Sequence, residues 1–191
     1  MSPRDDMPSH APHRPPPDAP ASRMHMRPAQ QGDARAISEL ICTLSAKFIA
    51  GRCAAPVRQK LLATMSPDAI AHNLRAGYRY HVGEIDGRLV GVVGTRHYTH
   101  IQHLFVAEAE HGQGYASRLW AVAQEDARLA GAGGEFTVNA SQHAHGIYRH
   151  WGFVAHGERR TIDGVIDIPL RWTASAPDEK ADVFLPDLPP A

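Results

Sequence analysis

His103-Leu104-Phe105-Val106, Ala107-Glu108-Ala109-Glu110, His111-Gly112-Gln113-Gly114-Tyr115-Ala116-Ser117 is the stretch that decides the fold. An apolar strand runs into a tight, glycine-bearing turn, and the turn opens a long helix. That helix is expected over Gln113–Ala130, with Leu119, Trp120, Ala123, Ala127 and Leu129 at helical spacing. The first turn of any helix carries backbone N–H groups with no partner inside the helix. Together with the helix dipole they make a site for an anion. Gly112 and Gly114 lack a Cβ, so a phosphate can approach the main chain closely, and Ala116 keeps the next turn small. A diphosphate can be held in this way with few cationic side chains.

Working outward, strands and helices alternate. Upstream, Met24–Arg27 reads as a short strand, and Asp33 is placed to cap a helix carrying Ile37, Leu40, Ile41, Leu44 and Phe48. Ser66-Pro67 starts another helix, through Ile70 and Leu74 to about Gly77. Tyr78–Ile85 and Leu89–His97 form a hairpin about Asp86-Gly87, a pair suited to a turn with positive φ at both central residues. Ile101–Val106 is the next strand. Downstream, Gly131, Gly133 and Gly134 end the long helix, Phe136–Val138 is a strand, and a helix is expected from about Ser141 to Trp151, with Gly152 at a left-handed cap. Phe153–Arg160 and Val165–Arg171 read as a last hairpin around Asp163-Gly164. The fold class is therefore mixed α/β of the α+β type, with antiparallel hairpins before and after a β–α–β–α centre.

A chain of 191 residues favours one domain. Its 20 Lys+Arg balance 20 Asp+Glu, so no global charge draws it to nucleic acid or to an anionic membrane. Residues 1–22, with Pro15-Pro16-Pro17, hold almost no large apolar side chains and are expected to be a disordered tail. Residues 23–173 form the domain, and 174–191 a flexible C-terminal tail. Cys42 and Cys53 show neither metal spacing nor a redox pair and suit reduced cytoplasmic thiols. No apolar run approaches the roughly 20 residues of a membrane span, and no signal-peptide pattern is present. A soluble cytoplasmic protein is expected.

Three phosphate-binding patterns compete for the turn. A P-loop needs Gly-Lys-Ser/Thr, and the turn has no Lys. A dinucleotide fingerprint needs a third glycine where Ser117 stands, and a parallel βαβ unit where hairpins flank the region. The third is the Arg/Gln-x-x-Gly-x-Gly/Ala turn of the GNAT acyltransferase superfamily. His111-Gly112-Gln113-Gly114-Tyr115-Ala116 resembles it at both small positions, with His111 where that superfamily more often has Arg or Gln. The resemblance extends to the preceding strand, to Val138-Asn139-Ala140-Ser141, and to Ile147-Tyr148-Arg149-His150-Trp151-Gly152-Phe153, similar to the superfamily's closing aromatic-Tyr-x-x-x-Gly-Phe pattern. It covers roughly residues 24–172.

The resemblance implies a mostly antiparallel twisted sheet with helices on both faces, splayed between its central fourth and fifth strands. It implies acetyl-CoA as acyl donor, no metal, and a primary amine as acceptor, attacked directly in a ternary complex. The pantetheine arm would lie along Leu104, Phe105 and Val106. The amides of Gly112, Gln113, Gly114, Tyr115, Ala116 and Ser117 would hold the diphosphate, with His111 adding a hydrogen bond or a charge. Asn139 would face pantetheine or substrate. Tyr148 would protonate the departing thiolate, a step a phenol of pKa about 10 suits.

The superfamily commonly places a carboxylate base on the fourth strand, and this strand has none. His100 and His103 stand there instead, and imidazole suits base work near neutral pH. Alternation puts His100 with Gln102 and Leu104 on one face and His103 with Phe105 on the other, unless a bulge changes the parity. His103 is favoured because it adjoins the residues expected at the thioester; Glu84 and Glu108 are further candidates. The amine is expected to enter over Tyr78–Tyr80 and the strand carrying Arg96–His100, with helix Ser66–Ala76 and the segment Ile49–Val57 lining the acceptor side. The 13 histidines contain no helical ligand pair with a carboxylate; His143 and His145, two apart, diverge. The acceptor is a small molecule or a peptide, and a homodimer is compatible with the sequence. A non-catalytic acyl-CoA sensor or scaffold is the alternative: it would keep the turn and lack the acid and base.

Overall fold

The computed structural model describes residues 24–51, 53–162 and 164–174. The N-terminal tail, the C-terminal tail beyond Ala174, and Asp163 lie outside the described residues. One sheet organises the rest. Strand β1 (His25–Pro28) pairs antiparallel with β2 (Arg79–Ile85), β2 with β3 (Arg88–Arg96), and β3 with β4 (His100–Val106). β4 then runs parallel to β5 (Glu135–Ala140). β5 pairs antiparallel with β8 (Val165–Thr173), which also takes the short β6 (Val154–Ala155) and β7 (Arg160–Ile162). Helix α4 (Tyr115–Leu129) packs Leu119, Trp120, Ala123 and Ala127 on one face of the sheet, against Val90, Val93, Phe136 and Val138. Helices α1 (Ala34–Phe48) and α3 (Pro67–Arg75) cover the other face, setting Ile37, Ile41 and Ile70 against Tyr80, Val82 and Val92. This is the mixed sheet with helices on both faces that the resemblance implies.

The local signals hold where one turn contains them. Ser66 Oγ accepts from Ala69 N at 3.3 Å and caps α3, with Pro67 in its first turn. Asp86 and Gly87 adopt φ of 51° and 73°. Gly152, just past the end of α5 (His145–His150), has φ 86°.

Elsewhere longer-range contacts win. Asp33 stands at the start of α1, but its carboxylate does not cap it: Oδ2 accepts from Gln30 N at 2.7 Å and pairs with Arg27 at 2.7 Å, tying the helix start to β1. The helix expected from Ser141 begins only at His145, because β5 runs on to Ala140 and a turn follows in which Ser141 Oγ accepts from Ala144 N at 3.2 Å. The strand expected over Phe153–Arg160 is split into β6 and β7 around Gly157. An unforeseen helix, α2 (Ala55–Ala63), has no buried residue, so it left no apolar stripe in the sequence to read.

Two irregularities prepare the site. The β3–β4 register shifts at Gly94/Thr95: Gly94 faces His103 and Thr95 faces Ile101, leaving Gln102 as an extra residue. This bulge changes the strand parity. Ile101 joins Leu104 and Val106 in the core on the α4 side, so His100 falls on the same face as His103, contrary to simple alternation. Further along, β4 and β5 are paired only at His100/Thr137 and Ile101/Val138. Beyond that point they part.

Trp120 anchors the core beneath the parting. Its ring is 4.7 Å from Phe136, 5.4 Å from Phe153 and 5.8 Å from Trp172. Trp120→Ala removes all these contacts and is expected to lower unfolding free energy by about 3–5 kcal/mol, as measured by urea denaturation.

Candidate active site

Where β4 and β5 separate, a cavity of about 840 Å³ passes into the sheet. Leu104, Phe105 and Val106 form one wall, and Val138, Asn139 and Ala140 the other. Main-chain groups of a strand that has lost its neighbour need new partners, so the β4 edge from His103 to Val106 is open to an extended ligand carrying amides. At the end of β4 a 3-10 turn, Glu108–Glu110, leads into the glycine turn. Gly112 and Gly114 adopt φ of 78° and 74°, and a Cβ at either would meet nothing within 4 Å. Glycine is required there by backbone conformation and leaves open space over the main chain. The first helical bond is from Arg118 N to Gly114 O, 3.1 Å, so the amides of Tyr115, Ala116 and Ser117 precede it. No acidic residue occupies the first turn of α4. The two acids before it are engaged, Glu108 by Lys47 and Glu110 by Arg88.

Of the residues assigned to the turn, His111, Gly112, Gly114, Tyr115, Ala116 and Ser117 line the cavity, and Gln113 does not. His111 Nε2 donates to Val106 O at 2.8 Å, clamping the turn to the end of β4. Its ring is therefore a brace for the turn, a role that Arg or Gln at this position would fill differently. Ser117 Oγ accepts from Trp151 Nε1 at 3.3 Å, joining α4 to the end of α5.

Tyr148 also lines the cavity, 4% exposed, its ring edge-on to Trp151 and Phe153 at 5.7 and 5.2 Å. Burial raises its pKa above the usual phenol value, so the hydroxyl stays protonated at neutral pH. Asn139 is exposed on the opposite wall, and its Oδ1 accepts from Arg160 Nη2 at 3.5 Å.

The structure separates the two histidines of β4. His100 Nδ1 is 2.9 Å from Thr137 Oγ1, at the paired end of β4 and β5, and the ring is outside the cavity lining. His103 lines the cavity, with Nδ1 2.7 Å from Tyr80 Oη. Burial lowers its pKa to about 4, so the ring is neutral at pH 7 and holds a proton poorly, which weakens the case for it as the base. Glu84 pairs with Arg27 at 2.6 Å and Glu108 with Lys47, and neither lines the cavity.

Only some of the residues expected to meet an acceptor line the cavity. Tyr78–Tyr80, Arg96–His100 and α3 contribute nothing to the lining. Ile49 and Val57 do, joined by Lys60, Leu61 and Thr64 of the α2 region. Asp167 of β8, missed in the sequence, lines the same side. Its Oδ2 accepts from Arg160 Nη2 at 2.6 Å, while Oδ1 is buried with no hydrogen-bond partner. Alternation along β8 from Leu170 was the one signal that placed Asp167 opposite the buried face; no local motif marks it.

Comparison with known proteins agrees with this geometry. Residues 46–174 match the family described as the acetyltransferase (GNAT) domain. Acetyltransferase Atu2258 of Agrobacterium fabrum is 38% identical over 73 residues, 38% of this chain and 53% of that protein, so the match spans about half the relative's length. A GCN5-related N-acetyltransferase from Rhodopseudomonas palustris superposes with a TM-score of 0.66 at 20% identity, covering 80% of this chain and 96% of that one. PaiA N-acetyltransferase from Thermoplasma acidophilum, solved in complex with coenzyme A, gives 0.62 at 12% identity, covering 79% and 99%. At these identities the structural likeness shows the fold.

The depressed pKa of His103 has a consequence for stability. The unfolded chain binds a proton at this residue below about pH 6.5, the folded chain only below about pH 4. The stability due to the neutral ring is complete above pH 6.5 and lost as pH falls toward 4, on the order of 3 kcal/mol over that window. His81 and His100, whose pKa values burial also lowers, act in the same direction. Urea midpoints at pH 7, 5.5 and 4.5 should fall steadily for the native chain and less steeply for His103→Gln.

Proposed function

The chain belongs to the GNAT acetyltransferase family, and on that premise we propose that it transfers an acetyl group from acetyl-CoA to a primary amine in a ternary complex. The observation that carries this reading is the two-pair contact between β4 and β5, opening beside a glycine turn whose residues line the same cavity. The amides of Gly112 to Ser117 receive the diphosphate, Gln113 through its main chain alone. Leu104, Phe105 and Val106 offer main-chain partners to the pantetheine arm, and Asn139 faces that arm from β5.

The acceptor amine reaches the thioester from the side of Ile49, Val57 and Leu61. The ammonium first gives up one proton to solvent, the amine nitrogen so formed bonds to the carbonyl carbon, and the C–S bond breaks. Tyr148 donates its phenolic proton to sulfur and regains one from the nitrogen. Held protonated by burial, Tyr148 remains a donor throughout the neutral range. The unpartnered oxygen of Asp167 on the acceptor side, set among apolar residues, supports an acceptor that arrives as an ammonium with an apolar body. A purely sensing module has no use for a buried, protonated phenol in the cavity, which favours catalysis over that alternative.

Acetyl-CoA at about 100 times its dissociation constant should stabilise the fold by about 2.7 kcal/mol, read as a rise in Tm. Gly114→Leu, which fills the space over the turn, should abolish the rise. Tyr148→Phe should retain the rise and lose about 10²-fold or more in kcat, measured by thiol release with a panel of amines. Unaltered kcat in a variant whose chemical step limits turnover would remove the assignment of Tyr148 as acid.

A further inference from the structure

Tyr80 on β2 and His103 on β4 stand either side of Gly94 on β3; the register pairs Tyr80 with Gly94 and Gly94 with His103. A Cβ at position 94 would lie 2.3 Å from Tyr80 Cε1. Glycine is thus what lets the phenol ring lie across β3, with its hydroxyl 2.7 Å from His103 Nδ1. Tyr80 is 3% and His103 4% exposed, so water does not serve the pair. Asn73 Nδ2 donates to Tyr80 Oη at 3.4 Å. Burial pushes the phenol's pKa up to about 12, so it keeps its proton.

A buried hydroxyl needs an acceptor for that one proton, and Nδ1 is the nearest. A neutral imidazole that accepts at Nδ1 carries its hydrogen on Nε2. With Nδ1 occupied, Nε2 is the nitrogen left for the cavity that His103 lines. To act as a base the ring would need the opposite tautomer, and a proton gained there would leave an imidazolium whose burial no neighbouring carboxylate offsets.

We propose that His103 is a catalytic hydrogen-bond donor: the relay from Asn73 through Tyr80 fixes its neutral Nε2–H form, which takes the carbonyl oxygen of the bound thioester as negative charge builds on it. This rests on the transferase reading above and adds a group to it. Tyr80 and Asn73 are positioning residues. A neutral donor held in place before the reaction suits this task, because it needs no reorganisation when the charge appears.

The direct test is ¹⁵N NMR of the full chain at pH 7, with the His103 ring signals assigned by their loss in His103→Gln. The expected result is a protonated Nε2 and a bare Nδ1, with Tyr80→Phe admitting the Nδ1–H form. A protonated Nδ1 in the native chain overturns the proposal, whether or not any variant folds well. In the transfer assay, His103→Gln still offers an amide N–H and should keep kcat within about tenfold, whereas His103→Leu should lose about 10²–10³-fold. Equal losses in the two variants also overturn it. If the native chain neither binds acetyl-CoA nor releases thiol, the transferase reading fails and the donor loses its target. The NMR result would still report the tautomer, so the two failures are told apart.

Discussion

Two register pairs hold β4 to β5, His100 with Thr137 and Ile101 with Val138, and after them the strands diverge. A sheet opened in its middle leaves main-chain donors and acceptors unpaired, which is costly wherever water is excluded. Here the parting gives onto a cavity, and its far side is held by contacts that do not involve β4. β5 keeps six register partners on β8, and Trp120, Phe136, Phe153 and Trp172 fill the space on the α4 face. The gap is therefore maintained by packing on one side and pairing on the other, and the β4 edge keeps main-chain groups that no strand takes up.

The glycine turn depends on the same geometry. It stands at the end of β4, so the direction of that strand aims the start of α4 across the cavity mouth. His111 holds the turn to Val106, and Arg118 Nη2 donates to Met24 O at 2.8 Å, fixing the helix to the first strand. Helix, turn and strand are thus one rigid frame. The start of α4 presents backbone N–H groups already oriented, the arrangement that suits an anion without a cationic side chain.

The two walls of the cavity carry different titratable groups. Tyr148, on the α4 side, is a phenol kept protonated by burial, and His103, on the other side, is an imidazole kept neutral by burial. Desolvation acts on both, and in each it preserves the uncharged form. Around Ile49, Val57 and Leu61 the lining is largely apolar, with Lys60 and Asp167 as charged members, and this region is built by α2 and β8 rather than by α3.

Much of this was legible without coordinates, because the signals lie within single turns. The glycine turn that opens α4, the Ser66 cap, the Asp86-Gly87 turn and the left-handed Gly152 each follow from residues a few positions apart. α2 left no such mark, since none of its residues is fully buried. Alternation sets the two histidines of β4 on opposite faces; the bulge at Gln102 brings them to one face, and only their partners across the sheet then distinguish them. Asp167 meets Arg160 through hairpin register, and Tyr80 meets His103 over Gly94 through the register of three strands. By itself the sequence determined the kind of site, because a helix start and its glycines are local chemistry. The tertiary structure decided which side chains line the cavity and how deeply each is buried, because strand parity and burial are set by segments that meet only when the sheet is formed.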